Sequence, residues 1–414
     1  MAENLNIWPE QVRCYDGLAL ASATLEFPSG DRRTLWYKVP GEHAASLHPT
    51  CDPFVVGTVY LLMQAGHDVR VHGQVSRSLL RSLVEFQAAW VSWVPGLHNV
   101  QIRADREAEA EMPALRKGAL VAYSGGVDSC FTAFRHARGV GLRFPHKLGA
   151  GVMVHGFDIP LDEPETFKSA VERSRRMLAS LGLDLIPIAT NYRALVADWS
   201  HSFAAALSSC MMLLGARFAE GLIGQGLTYG DFHLLREGSN PLTDPMLSSS
   251  SFRIVPDGGA FSRADKILAM SEWKEFLEGV RVCWAGPHKD RNCCVCEKCI
   301  RNILTFRALG LGLPPCFEHD VTDRQIRELQ PGGGALPSIR YAELGKLAKT
   351  RGVEGPWIRA LNRRLAAVSR LRGSVLLQRL QRVPYYATRP GLLLRRIGSR
   401  LAKDASPPTS EGPQ

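Results

Sequence analysis

This 414-residue chain has no hydrophobic run that approaches the length of a membrane span, so no transmembrane segment is expected. Its first residues, Met1–Leu5, are polar and acidic and lack the features of a secretory signal. Disulfide spacing is also missing, because five of the ten cysteines cluster between residues 283 and 299 while the others are scattered. These absences predict a protein of the reducing cytoplasm.

Acidic residues are scarce in one long segment. Between residues 340 and 403, 16 Lys and Arg residues stand against two acids, Glu343 and Glu354. The whole chain carries +10, so this segment's surplus of 14 leaves the rest near −4. Apolar residues at helical spacing predict a basic amphipathic helix, which could bind RNA or an anionic surface or dock on the acidic body: Ile358, Leu361, Leu365, Val368, Leu371 and Val375.

The most informative motif follows residues 119–123, an apolar run that predicts a buried parallel strand. Residues 130–135 predict a helix. Such a strand–turn–helix unit can cradle phosphate, because glycines admit an anion and N–H groups at the helix start point at it. Asp128 in the loop indicates a Mg²⁺ ion that bridges the carboxylate to phosphate oxygens. The connecting residues are Ser124, Gly125, Gly126, Val127, Asp128 and Ser129.

Two common nucleotide motifs are missing here. The loop has no Gly-Lys-Ser/Thr ending, which excludes a Walker A loop, and its glycine spacing excludes the dinucleotide fingerprint. The order Ser-Gly-Gly-x-Asp-Ser instead resembles the pyrophosphate loop of the N-type ATP pyrophosphatases. In that superfamily the loop holds the β,γ-pyrophosphate of ATP while a substrate oxygen attacks the α-phosphorus. The resemblance therefore implies ATP and Mg²⁺ at residues 124–129.

A cysteine cluster indicates a metal site. Overlapping C-x-x-C units with one upstream cysteine match the spacing of a tetrahedral thiolate set. Zn²⁺ is the first expectation, and an iron–sulfur cluster is the alternative. The cluster comprises Cys283, Cys293, Cys294, Cys296 and Cys299.

Together the two motifs, over about residues 116–310, resemble 7-cyano-7-deazaguanine synthase and its relatives, in which four cysteines bind zinc. Cys283, Cys293, Cys296 and Cys299 match those four positions. Cys294 departs from the pattern, because it occupies a position where the family has glycine. It is either a spare thiol or a competing ligand.

From Lys117 onward, predicted strands alternate with helices, which indicates a doubly wound parallel sheet with ligands beyond the strand C-termini. The resemblance implies the adenine nucleotide alpha hydrolase-like version of this fold. It also implies that backbone groups near Val154 and Asp158, after the second strand, recognise adenine. Arg263 and Lys266 follow a Gly-Gly turn, and we expect them to stabilise the leaving pyrophosphate as catalytic residues.

Four regions are expected. Residues 1–115 form a small α/β domain without a chemical motif, and the charged stretch 104–110 helps to mark its end. Residues 116–320 form the ATP-binding domain with the metal segment 283–299. Residues 321–403 form the basic tail after a Pro-Gly hinge at 331–334, and residues 404–414 are expected to be disordered. No candidate site residue lies beyond Cys299, so the tail should be separable from catalysis.

The expected function is an AMP- and pyrophosphate-forming ligase. It would adenylate a carboxylate or carbonyl oxygen of a small substrate for displacement by a nitrogen donor. Residue 2 is Ala and not a nucleophilic Cys, so ammonia would be free or supplied by an amidotransferase partner. One alternative is a tRNA-thiolating enzyme, which needs a reactive cysteine such as Cys130. The other is a non-catalytic nucleotide-binding regulator.

Overall fold

The computed structural model describes residues 4–113, 116, 118–232, 236–283, 285–329 and 336–372. The chain divides into two units, residues 1–361 and residues 362–414. In the second unit, residues 362–372 are described and are helical. None of the helices in these ranges is long and apolar enough to cross a membrane. The predicted hinge at 331–334 and the predicted disorder at 404–414 lie outside the described residues.

The N-terminal part contains six strands. The predicted hairpin is present, because β3 and β4 pair antiparallel along their whole lengths with alternate side chains buried. The stretch 104–110, expected to mark a boundary, instead lies in and after an edge strand that pairs with β5. The elements are β1 (Leu5–Pro9), β2 (Arg13–Tyr15), β3 (Leu18–Glu26), β4 (Arg32–Pro40), a 3-10 helix (Gly41–Ser46), α1 (Asp52–Ala65), β5 (Val69–Val75), α2 (Arg77–Trp93) and β6 (Ile102–Glu107).

From residue 119 to residue 257 the chain alternates strands and helices as predicted, and the described elements after residue 257 are helices. The elements are β7 (Ala119–Ala122), α3 (Val127–Arg138), β8 (Leu148–His155), α4 (Pro164–Ala179), β9 (Asp184–Thr190), α5 (Tyr192–Leu195), α6 (Trp199–Met212), β10 (Glu220–Gly224), a 3-10 helix (Asp244–Leu247), β11 (Arg253–Asp257), α7 (Arg263–Ala269), α8 (Lys274–Gly279), α9 (Glu297–Ala308), α10 (Asp323–Glu328), α11 (Leu336–Thr350) and α12 (Pro356–Arg372).

The parallel sheet of this part has the strand order β11-β10-β7-β8-β9. All four residues of β7 are buried, because helices cover both faces of the sheet, and this explains the unbroken apolar run in the sequence. The chain crosses from β9 back to β10, on the other side of β7, so the strand order reverses between β7 and β10. Loops that follow those two strands face the crevice where ligands bind in such sheets.

One mixed sheet of 11 strands runs through both parts. Strand β4 pairs antiparallel with β9, opposing Tyr37 to Thr190, so the sheet continues across the boundary expected at residue 115. Helices α1 and α6 pack together beneath it, and the Tyr37 hydroxyl lies 2.7 Å from that of Ser209. Both helices are apolar nearly all round, because each packs against the sheet and against the other helix.

Candidate functional site

The loop Ser124–Gly126 connects β7 to α3 at the point where the strand order reverses. Gly125 has φ +73°, a left-handed conformation that favours glycine, and Gly126 precedes the first residue of α3. The Ser129 hydroxyl donates to the Gly126 carbonyl at 3.0 Å and accepts from the Ser124 amide at 3.3 Å. These two serines hold the loop in place while the first amides of a 12-residue helix point outward.

Asp128 lies in the first turn of α3 and is paired with both predicted catalytic cations. The Lys266 ammonium donates to its Oδ1 at 2.8 Å, and the Arg263 guanidinium donates to its Oδ2 at 2.7 Å. Lys266 is only 2% exposed and also donates to the Gln225 carbonyl. Burial acts to raise the pKa of Asp128, but Arg263 and Lys266 outweigh it and lower that pKa to about 2. The structure therefore brings the three predicted catalytic residues together around a charged carboxylate.

A small recess of about 150 Å³ opens beside the loop, and we call it the cation recess. Five residues predicted to bind the nucleotide line it, namely Ser124, Gly126, Val127, Asp128 and Asp158. Four basic side chains also line it, three of which the sequence reasoning missed: Arg263, Arg281, Lys298 and Arg301. The missed residues Arg281, Lys298 and Arg301 lie within or next to the cysteine segment 283–299. This closeness in sequence is the one signal that could have identified them.

Arg281 ties the cysteine segment to the loop. Its amide donates to the Gly125 carbonyl at 2.8 Å, and its guanidinium donates to the Ser124 carbonyl at 3.1 Å. The same guanidinium lies 3.6 Å from the carboxylate of Asp158. Residue 281 is nearly buried, so its charge faces the recess in a region of low dielectric.

A larger cavity of about 540 Å³ adjoins the loop and the cation recess, with which it shares Arg281 and Lys298, and we call it the main cavity. Six predicted binding residues line it, namely Ser124, Gly126, Asp128, Ser129, Val154 and Asp158. Its wall is apolar where the chain leaves β8 and turns toward α4, with contributions from Val152, Met153, Phe157 and Ile159. Of the remaining predicted residues, Val127 lines only the cation recess and Gly125 contributes its carbonyl to Arg281.

One acid in the main cavity was also missed. Glu237 lines it near Gly226, and burial together with the charge of Asp128 raises the pKa of this carboxyl, while Arg340 acts to lower it. No motif in the sequence identifies Glu237 as a site residue. Its position near the end of β10 depends on the course of a long loop and not on a local sequence pattern.

His155, the last residue of β8, and Cys130, the candidate nucleophile for thiolation, both have structural contacts. The His155 ring donates to the Pro160 carbonyl at 2.7 Å and stacks on Phe167. The Cys130 thiol is fully buried beside the Tyr123 hydroxyl, and burial raises its pKa to about 12. A buried, protonated thiol is a poor nucleophile, so Cys130 is not suited to the thiolation chemistry.

The cysteine cluster has the geometry of a metal site. The sulfur atoms of Cys283, Cys293, Cys296 and Cys299 all lie within 4.8 Å of one another, and those of Cys283 and Cys293 are 3.3 Å apart. In a tetrahedral site with bonds of about 2.3 Å, sulfur atoms are about 3.8 Å apart, so these four residues can hold a metal such as zinc. Cys283 also lines the cation recess.

Cys294 stands outside this set. Its sulfur is directed to the Asn292 carbonyl at 3.8 Å, and its φ of +59° is left-handed. Glycine adopts that conformation most readily. This gives a physical reason why the 7-cyano-7-deazaguanine synthases, which the motif resembles, have glycine at this position. Cys294 is therefore a spare thiol in this structure.

A third cavity, of about 340 Å³, corrects the expectation that the tail is separate from the site. We call it the side cavity, and Arg340, Glu343, Leu344 and Leu347 of α11 line it together with Arg263. Helix α11 is attached to α9 through the buried Tyr341, whose hydroxyl donates to Glu297 at 3.1 Å. Residues 336–361 belong to the same compact unit as the loop, because α11 covers a face of α9 that would otherwise be exposed.

An anion cradle, four basic side chains and an apolar cavity meet at one edge of the sheet. This arrangement suits a ligand that combines several phosphate groups with an apolar ring. Comparison of the chain with protein-family profiles, with curated proteins and with solved structures found no match in any of the three.

Proposed function

We propose that this protein is an ATP-dependent adenylating ligase of the pyrophosphate-loop type, with 7-cyano-7-deazaguanine synthase as the enzyme it resembles. One observation carries the proposal. The Ser-Gly-Gly-x-Asp-Ser loop lies at the switch point of a parallel sheet, beside a recess lined by four cations and a cavity with an apolar wall. Open parallel sheets bind ligands at this position, and cations next to an apolar wall suit the phosphates and the ring of ATP.

Each part of the site has a role in this proposal. The amides at the start of α3 and the recess cations Arg281 and Lys298 would hold the β,γ-pyrophosphate, and Arg301 would add positive charge beside it. The wall near Val154 and Phe157 would hold the adenine ring. Pyrophosphate gains charge as it leaves, and preformed cations in a buried recess stabilise that charge without reorganisation.

Asp128 fits a role in binding Mg²⁺. Its two contacts with Lys266 and Arg263 use two of about four acceptor positions on a carboxylate, so acceptor capacity remains for a metal ion. Its low pKa keeps it charged at neutral pH. When bound, Mg²⁺ would neutralise phosphate charge. Arg263 and Lys266 therefore orient the metal-binding carboxylate, besides contributing positive charge near the leaving group.

The proposed reaction has two steps. A substrate carboxylate or carbonyl oxygen attacks the α-phosphorus of ATP, and the bond between the α-phosphorus and the bridging oxygen breaks with its electron pair leaving on pyrophosphate. A nitrogen donor then attacks the activated carbon, and AMP leaves with the electron pair of the carbon–oxygen bond. The protein contributes position and charge, since the activating energy comes from ATP.

The four-cysteine site would be structural. Four thiolates leave no open coordination position on a tetrahedral metal, so the metal does not act on substrate. It would clamp the segments that carry Arg281, Lys298 and Arg301 against the loop.

The test is exchange of labelled pyrophosphate into ATP by the purified full-length protein, in the presence of a broad panel of carboxylic acids with free ammonia absent. Asp128→Asn should keep the fold and lose nearly all exchange, because Asn carries no charge to bind Mg²⁺. Asp162→Asn, which changes an exposed acid away from the cavities, is the matched control and should exchange like the wild type. Exchange by Asp128→Asn at the wild-type rate would refute the assigned role.

A further inference from the structure

The side cavity is a second place where a small molecule can bind. It lies between the loop after β10, the start of α7, and helices α9 and α11. Gly226 lines both it and the main cavity, while Arg263 and Arg301 line both it and the cation recess. Its volume of about 340 Å³ falls in the range of small-molecule sites. A ligand there would lie beside the proposed nucleotide.

Two arginines in this cavity have unused hydrogen-bonding capacity. The Arg301 side chain is 11% exposed, its buried Nε has no hydrogen-bond partner among the described residues, and the nearest carboxylate, of Glu297, is 3.7 Å away. Arg340 donates to the Gly226 carbonyl at a long 3.4 Å. Burial and the neighbouring charges of Arg263 and Arg340 lower the pKa of Arg301 to about 10. An anionic group would relieve this repulsion and satisfy the donors.

Three acids line the same cavity, namely Asp231, Asp265 and Glu343. Asp231 accepts a hydrogen bond from the Thr228 hydroxyl at 2.7 Å, and neither it nor Glu343 forms an ion pair with any described residue. Burial and the charge of Asp231 raise the pKa of Glu343, while Arg340 and Lys346 act to lower it without cancelling the shift. The third acid, Asp265, is already engaged in capping α7 through Ser262. A positively charged group between Asp231 and Glu343 would remove their mutual repulsion.

We propose that the side cavity binds a small zwitterion, with its carboxylate held by Arg301 and Arg340 and its protonated amine facing Asp231 and Glu343. The uncharged lining mixes small polar and aliphatic side chains, so the part between the two charges is short and aliphatic or carries one hydroxyl; these residues are Thr228, Ser262, Ala264, Thr305, Leu344 and Leu347. A purely anionic ligand would be repelled by the acids, and a purely cationic one by the arginines. That the zwitterion is the acceptor for adenylation rests on the proposed function, whereas its binding does not.

The experiment is calorimetric titration of the full-length protein, without ATP, with the proteinogenic α-amino acids, β-alanine and γ-aminobutyrate. Each probe that binds is compared with its N-acetyl derivative and with its amide, which remove the amine charge and the carboxylate charge respectively. ATP is titrated separately. Arg340→Met should weaken binding of the amino acid at least about tenfold, as expected for loss of a charge-assisted hydrogen bond. Arg340→Lys should recover part of the affinity.

Glu343→Gln should weaken binding of the amino acid but leave the weaker binding of its N-acetyl derivative unchanged, which separates the two ends of the site. Lys349→Met changes an exposed charge on the same helix and is the matched control, with unchanged affinity. If no probe binds the wild type, or if Arg340→Met binds the probe as tightly as the wild type does, the side-cavity proposal is overturned. The separate titration with ATP then still tests the proposed function independently. Binding of a probe without any binding of ATP would overturn only the nucleotide site.

Discussion

The buried ion pair between Lys266 and Asp128 predicts that removal of the Lys266 charge lowers the free energy of unfolding. Lys266→Met keeps the length of the side chain but removes its charge, so Asp128 retains only Arg263 as a cationic partner. Breaking a buried pair costs about 3–5 kcal/mol, and the remaining Arg263 reduces this, so we expect a loss of about 2–4 kcal/mol at pH 7. The loss arises because a charged carboxylate and the Gln225 carbonyl lose a buried donor.

The pH dependence follows from the same pair. The pKa of Asp128 is about 2 in the folded protein against an ordinary value of 3.8, and its side chain is only 21% exposed. A lowered carboxyl pKa contributes stability that is present above the unfolded value and is lost as pH falls through the folded value. The contribution is about 2 kcal/mol at neutral pH. It should fall by about 1 kcal/mol between pH 7 and pH 3, and be nearly gone at pH 2.

The assay is urea unfolding of the wild type, Lys266→Met, Asp128→Asn and the double variant, each at several pH values. The two single changes should be non-additive, with the double variant about 2 kcal/mol more stable than the sum of the single effects predicts, because neither charge is then left buried alone. Additive effects, or a difference between wild type and Lys266→Met that does not shrink as pH falls, would refute the reasoning.

Two further predictions concern the metal site and the tail. Cys296→Ser should abolish binding of about one Zn²⁺ per chain and lower the melting temperature, because metal binding is coupled to folding, whereas Cys294→Gly should keep the metal. Metal analysis of the two purified variants checks both expectations. Loss of zinc from Cys294→Gly, or the finding of iron with inorganic sulfide, would contradict them. Truncation after Arg372 should leave ATP affinity unchanged. Truncation after residue 335 should weaken ATP affinity and destabilise the protein, because it uncovers the face of α9 against which Tyr341 is buried, and α9 carries the recess cations Lys298 and Arg301. Equal ATP affinity of the two truncated proteins would contradict the placement of α11.

Local patterns in the sequence were enough to predict the loop and the metal ligands. The strand, the glycine turn and the helix start lie within residues 119–138, and four cysteines lie within 17 residues, so short chain segments determine both geometries. The alternation of strands and helices likewise predicted the parallel sheet, since the periodicity of buried residues is a local property. Arg263 and Lys266 were recognised because they begin a helix after a turn, although nothing local showed that Asp128 is their partner.

Tertiary structure alone decided which distant residues complete the site. Arg281, Lys298 and Arg301 reach the loop because the cysteine segment folds back on it, and Arg340 reaches Gly226 because α11 packs on α9. The joining of β4 to β9 also could not be predicted, since either strand edge could have been covered in another way. Contacts between residues more than a hundred positions apart depend on the packing of whole elements, and that packing leaves no periodic or compositional signal in the sequence around each residue.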